Sequence, residues 1–181
     1  MEQIKRVGRE LVFKGSITDY YQDIIELPDG KIVKYDLVDH KGAAAVVPVL
    51  DDGRIVMVRQ YRNALDRFTL EIPAGGLNGR DEPTDVAAKR ELSEETGFIS
   101  DDIELLISIR TTVAFCNEKI DIYVAKNLKP GKQHLDEDEF VEYEAYEVDE
   151  LVKKIYDLEI QDSKTICAIL AYKEKYIKNK N

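Results

Sequence analysis

The apolar positions of this chain follow a two-residue period at first. Glu10 to Phe13 is a short apolar-rich run, and Tyr20 to Leu27 and Lys31 to Val38 flank Pro28-Asp29-Gly30, a strong turn signal. In the last of these runs Ile32, Lys34, Asp36 and Val38 alternate with Val33, Tyr35 and Leu37, so neither face is clearly polar. A hairpin with apolar residues on both faces needs two covers, and a second subunit is one candidate cover. Gly42 to Leu50 (GAAAVVPVL) is almost continuously apolar, the pattern of a strand buried on both faces. Asp51-Asp52-Gly53 predicts a turn into a strand from Arg54 to Tyr61. Thr69 to Ile72 predicts a short strand that delivers the chain to Pro73-Ala74-Gly75-Gly76, read as a loop.

The period then changes. From about Pro83 to Thr96 the spacing predicts a helix: Pro83 suits the first helical position, Gly97 suits the residue that ends it, and Ala88 with Leu92 gives a buried stripe. Strands follow at Ile103–Arg110, with Leu105, Ile107 and Ile109 on one side, and at Lys119–Ala125, with Ile120, Ile122 and Val124 aligned. Asn127 to Gly131 reads as a loop and Phe140 to Val148 as a strand. Two helices close the chain. Asp149 to Leu158 turns Leu151, Val152 and Ile155 inward. Ser163 to Lys178 starts from Asp162 or Ser163 as cap, with Ile166, Leu170 and Tyr172–Tyr176 as its stripe. Strands before and around one central helix predict an α+β or α/β/α sandwich. The organisation expected is a β-hairpin subdomain at residues 1–40 and a main domain at 41–181.

Composition narrows the class. A chain of 181 residues with 44% apolar content can bury a core without disulfide or metal staples. Its net charge of −10 argues against nucleic acid or an anionic membrane as partner. Two cysteines without a CxxC spacing fit a reducing compartment, and the cytoplasm is the expected location. The N-terminus lacks a signal-peptide core, and no run of about 18 apolar residues offers a membrane span. His40 and His134 have no ligand-like spacing and read as solvated polar residues, and no serine sits in a GxSxG context.

The candidate chemistry lies at residues 76–98, GLNGRDEPTDVAAKRELSEETGF. Glu91, Glu94 and Glu95 share one helix face, where like charges repel by roughly 0.2–0.5 kcal/mol per pair. The helix gains nothing by this alone. A divalent cation reverses the sign, because Mg²⁺ takes carboxylate oxygens and keeps positions open for substrate phosphates. Such an ion would also offset the chain's negative charge for a phosphate substrate.

Gly76, Glu82, Arg90-Glu91-Leu92-Ser93-Glu94-Glu95-Thr96-Gly97 and Phe98 together resemble a complete Nudix box, the signature of hydrolases of nucleoside diphosphates linked to another group. The resemblance implies a Nudix-type α/β/α sandwich with a mixed sheet and an N-terminal antiparallel β subdomain. It makes Glu91, Glu94 and Glu95 metal ligands, with Glu91 and Glu95 the most direct pair. Glu82 becomes a supporting ligand or loop anchor, and a backbone carbonyl of Ala74 or Gly75 assists. Mg²⁺ or Mn²⁺ is the cofactor implied; it neutralises the diphosphate and lowers the pKa of a water. Glu94, Glu95 and Arg90 enter the catalytic group, Arg90 by fixing a carboxylate rotamer.

Glu71-Ile72-Pro73-Ala74-Gly75 and Arg59-Gln60-Tyr61-Arg62 resemble the ADP-ribose pyrophosphatase branch. This implies hydrolysis of ADP-ribose, or of a related nucleoside diphosphate sugar, to a nucleoside monophosphate and a sugar phosphate. GDP-sugars, NADH and dinucleoside polyphosphates are alternative substrates, and a non-catalytic ligand sensor is an alternative class. Arg62 and Glu71 become substrate contacts, since an arginine fork suits phosphate oxygens. The acidic run Asp136-Glu137-Asp138-Glu139 offers Glu137 or Glu139 as general base. Relatives usually carry a Ser-Pro-Gly-Phe-like turn where this chain has Thr112-Val113-Ala114-Phe115, which leaves Phe115 at the substrate position. The branch further implies a homodimer whose N-terminal hairpin helps build the nucleoside site, with Tyr20 or Tyr21 stacking on a base.

Overall fold

A computed structural model describes residues 4–135 and 140–178. The chain divides into two compact units, residues 1–42 with 110–119, and residues 43–109 with 120–181.

The first unit is a three-stranded antiparallel sheet, in order β1 (Lys5–Lys14), β2 (Thr18–Glu26) and β3 (Ile32–His40). The Pro28-Asp29-Gly30 turn joins β2 to β3, with Gly30 in the left-handed region at φ 81°. Residues 110–119 attach to the end of β3. Val38 pairs with Cys116, and Asn117 reaches Asp39 and the His40 amide through its side chain. His40 is not a solvated histidine. Its Nδ1 accepts the Gly42 amide at 3.0 Å and lies 3.4 Å from Glu118. The sheet leaves Val7, Leu11, Phe13, Ile32 and Tyr35 exposed.

Among the described residues the second unit contains two larger sheets and one two-stranded sheet. One has the order β7-β4-β10-β9, from β4 (Ala43–Pro48), β7 (Ala74–Gly76), β9 (Asp102–Arg110) and β10 (Lys119–Lys126). It is mixed, since β4 runs parallel to β10 and antiparallel to β7. The other is antiparallel, with β5 (Ile55–Arg62) between β12 (Val141–Tyr146) and β6 (Arg67–Glu71). A two-residue pair joins β8 (Phe98–Ile99) to β11 (Lys129–Pro130), so the segment read as a loop at 127–131 contains a strand.

The apolar run from Gly42 explains the layering. Ala43, Ala45 and Val47 point to one side, against Ile120, Ile122, Val124 and the helices α2 (Val148–Tyr156) and α3 (Ser163–Tyr172). Ala44 and Val46 point to the other side, against Ala87, Ala88 and Leu92 of α1 (Thr84–Thr96). One strand buried on both faces therefore stands between the box helix and the two closing helices. Fully burying a Val or Leu contributes roughly 1.5–3 kcal/mol, so the middle layer anchors both outer ones. On β9 the register differs from the reading above. Leu105 is 48% exposed, and Leu106 packs beside Ile107 and Ile109. Helix α3 is capped by Asp162, whose side chain accepts the Thr165 amide. It ends as a helix of the α type at Tyr172 and passes into a π-helical turn, Lys173–Ile177. There the rings of Tyr172 and Tyr176 lie 5.1 Å apart. Among the described residues no helix is long and apolar enough to cross a membrane.

Candidate active site

The site is built where β7 meets α1. Residues 74–76, read from sequence as loop, are a strand on the edge of the mixed sheet, with Ala45 opposite Ala74 and Ala44 opposite Gly75. The Pro73 carbonyl accepts the Val46 amide at 2.9 Å. This fixes the backbone directly against α1. The helix forms from good helix formers, Ala87 through Leu92, with Asp85 complementing its N-terminal dipole. It stops at Gly97, which takes φ 73° and donates its amide to the Ser93 carbonyl.

Glu91 and Glu95, four residues apart, are both buried, at 7% and 3% exposure. Glu95 Oε2 accepts the Ala74 amide at 3.1 Å. The sequence reading gave Ala74 a part through its carbonyl; the contact seen here is through its N–H. Gly75 is required by the close approach of Glu91, since a Cβ on it would lie 2.1 Å from Glu91 Oε1. The two carboxylates are thus pressed against backbone on the floor of the site, while Glu94 is 38% exposed at its rim.

Arg90 collects the remaining charge. Its Nη1 donates to Glu91 Oε1 at 2.5 Å and Glu94 Oε2 at 3.0 Å. Its Nη2 donates to the Gly76 carbonyl at 3.1 Å, and Nε to Glu82 at 3.4 Å. Burial alone would lower the arginine pKa, but the charge of Glu91 and the bonds to Glu82, Glu91 and Glu94 raise it above its ordinary value. Glu82 accepts the Asn78 amide at 2.6 Å; this bond, with Arg90, draws its pKa below the usual carboxylate value. Glu82 therefore anchors the loop that enters α1.

The set fits a divalent cation. Three carboxylates, Glu82, Glu91 and Glu94, face one guanidinium, and Glu95 lies beside them on the Ala74 amide, so acids outnumber the arginine that meets them. All the donors are hard oxygens, which suits Mg²⁺ or Mn²⁺. With the acids turned toward Arg90 and the Ala74 amide, no three His, Cys, Asp or Glu side chains converge as ligands among the described residues.

A second cluster adjoins the first. Arg62, at the end of β5, forks onto Glu71 with Nε–Oε1 at 2.8 Å and Nη2–Oε2 at 2.6 Å. Thr69 donates to Glu71 Oε1 at 2.6 Å, and Lys164 donates to Oε2. Burial pushes the Glu71 carboxyl up, yet the hydrogen bonds and charges of Arg62 and Lys164 bring it down to about 2. Hydrogen bonding to Glu71 raises the Arg62 pKa, with a further contribution from the charge of Glu95. Tyr21 and Phe115 belong to the first unit. Arg9 stacks 5.4 Å from the Tyr21 ring centre, and Phe115 is 53% exposed. Glu137 and Glu139 lie outside the described residues.

The sequence reading missed several residues that hold the site. Gln133 donates to the carbonyls of Glu95 and Val141, and the His134 amide donates to the Glu94 carbonyl, so this segment fastens the C-terminal end of α1. At the other end Thr84 donates to the buried Asp121 of β10 and shares a hydrogen bond with Tyr123. An aspartate inside an apolar strand was the available signal for this tie. Lys164 also had a signal, because a lysine in the first turn of a helix opposes the dipole and needs a partner elsewhere.

The NUDIX domain pattern matches residues 39–169. An ADP-ribose pyrophosphatase of Bacillus subtilis (strain 168) is 39% identical over 167 residues, covering 91% of this chain and 90% of that protein. A methanol dehydrogenase activator of Bacillus methanolicus is 42% identical over the same length and the same shares. A crystal structure of an ADP compounds hydrolase superposes with a TM-score of 0.84, over 96% of this chain and 94% of that one. At 21% identity this likeness establishes the fold.

Proposed function

The chain belongs to the NUDIX family of pyrophosphohydrolases, whose members generally require a divalent metal ion, and on that premise we propose that it cleaves the diphosphate of ADP-ribose. The products are AMP and ribose 5-phosphate. The observation that carries this reading is the stack of Glu91 and Glu95 against the Ala74–Gly75 backbone, beside the exposed edge of the Arg62 fork, whose side chain is 37% accessible. The names of relatives such as the 39%-identical ADP-ribose pyrophosphatase support the choice of substrate.

Glu91, Glu94 and Glu95 would hold Mg²⁺ or Mn²⁺, which would neutralise charge on the phosphates and lower the pKa of a water. Arg90, itself held by Glu82, keeps Glu91 and Glu94 in place before substrate arrives, and the Ala74 amide does the same for Glu95. Arg62 binds a phosphate oxygen, for which its planar fork is suited. The acidic run at 136–139 supplies the candidate bases Glu137 and Glu139, on its composition and its place after the box.

The protein acts as a homodimer in which the N-terminal hairpin of each subunit reaches its partner and helps build the partner's nucleoside site. Exposed Val7, Leu11 and Phe13 on β1 support this. Tyr21 and Phe115 serve the nucleoside in that assembly. A second reading rests on the 42%-identical relative named as an activator of methanol dehydrogenase; there the physiological readout is the rate of a dehydrogenase.

The test is turnover of ADP-ribose, NADH, GDP-mannose and diadenosine polyphosphates with Mg²⁺ and with Mn²⁺. ADP-ribose should give the highest kcat/KM. A preference for another member of the panel overturns the substrate assignment, and no turnover of any member overturns the enzyme.

A further inference from the structure

We infer that Lys164 is a positioning residue that serves as a reserve counter-ion for Glu71, so that Arg62 can leave Glu71 for an anionic group of the substrate. This rests on the reading of Arg62 as a phosphate contact.

The geometry provides each oxygen of Glu71 with two donors. Oε1 accepts Arg62 Nε and Thr69 Oγ1; Oε2 accepts Arg62 Nη2 and Lys164 Nζ. When Arg62 turns away, both oxygens keep a partner and the carboxylate keeps a positive neighbour. Without that provision, a glutamate at 2% exposure would be left as an uncompensated buried charge, which is strongly unfavourable. Arg62 would then be locked in place, unable to serve a ligand.

Accessibility divides the roles. The Arg62 side chain is 37% exposed, against 3% for Glu71 and 11% for Lys164. The arginine can move, and the lysine is held. Asp162 fixes the lysine at 3.0 Å while also capping α3 through the Thr165 amide and hydroxyl. Thr165 Oγ1 in turn accepts the Ile72 amide at 3.0 Å, next to Glu71 in the chain. The lysine thus sits in a frame that ties α3 to the strand carrying Glu71. Its place in the first turn of a helix, where a cation is disfavoured, is accounted for by this use.

The test is steady-state kinetics with ADP-ribose and Mg²⁺. Lys164→Met should raise KM by about tenfold, the scale of one charged hydrogen bond, and change kcat by no more than about threefold. Lys164→Arg should restore KM. Thr69→Val removes the other reserve donor and should raise KM in the same direction, which keeps the test decisive if Lys164→Met does not fold. A thermal shift with unchanged KM in both variants overturns the inference, as does a KM increase that Lys164→Arg does not reverse. Arg62→Ala separates the two levels. If it leaves KM unchanged, the reading of Arg62 fails; if it raises KM while Lys164→Met and Thr69→Val do not, only the role of Lys164 fails.

Discussion

Gly75 shows how one residue shapes the site. Its φ is not in the positive region, so alanine is compatible with its backbone. The obstacle is instead the Glu91 carboxylate, which occupies the space a methyl group would take. Gly75→Ala should therefore fold normally while displacing Glu91 from its place beside Arg90. The apparent affinity for Mg²⁺, read from the activation curve, should fall by about tenfold or more, comparable with losing a group that orients a ligand. An unchanged activation curve would mean that Glu91 does not hold the ion. At this scale much was legible in the sequence. The clustered acids of 91–95 pointed to a positive partner, which the structure shows as Arg90, and Gly97 marked the helix end. The contacts of Gly75, Gln133 and Asn78 were not legible, because they depend on which backbone atoms the fold brings near.

At the scale of elements, β6 and α3 are joined by charge. Glu71 is drawn from the ordinary 4.5 to about 2, so the folded state binds its proton more weakly than the unfolded chain does. The stabilisation is complete above about pH 4.5 and is lost as pH falls toward 2, and it is worth on the order of 3 kcal/mol. Denaturant unfolding from pH 5 to pH 2 should show a steeper loss of stability in the wild type than in Glu71→Gln. Parallel curves would remove Glu71 from the acid response. The elements themselves followed from periodicity. The strand at 43–48 was clear because apolar residues ran without a break, and α2 because Leu151 and Ile155 repeat one turn apart. The strands β7, β8 and β11 were hidden, since two or three residues are too few to show alternation. The inward position of Leu106 was also hidden. In IELLISI apolar residues fall on both faces, and only packing decides between neighbours.

For the whole molecule, two units have different characters. The second encloses a core on both sides of β4, while the first leaves Val7, Leu11, Val12 and Phe13 of β1 exposed, with Ile4 and Ile17 beside the strands. Light scattering should give twice the chain mass of 20.7 kDa, and Leu11→Asp with Phe13→Asp should reduce it to one chain. A wild-type mass of one chain would end the dimer proposal. The deciding measurement for the molecule as a catalyst is ADP-ribose hydrolysis with Mg²⁺, with the ion chelated, and with Glu95→Gln. Turnover should require the ion, release AMP and ribose 5-phosphate, and drop by at least about a hundredfold in Glu95→Gln, with the melting temperature nearly unchanged. Hydrolysis that persists without a divalent ion, or at full rate in Glu95→Gln, would contradict the assignment of these carboxylates to a metal-assisted cleavage.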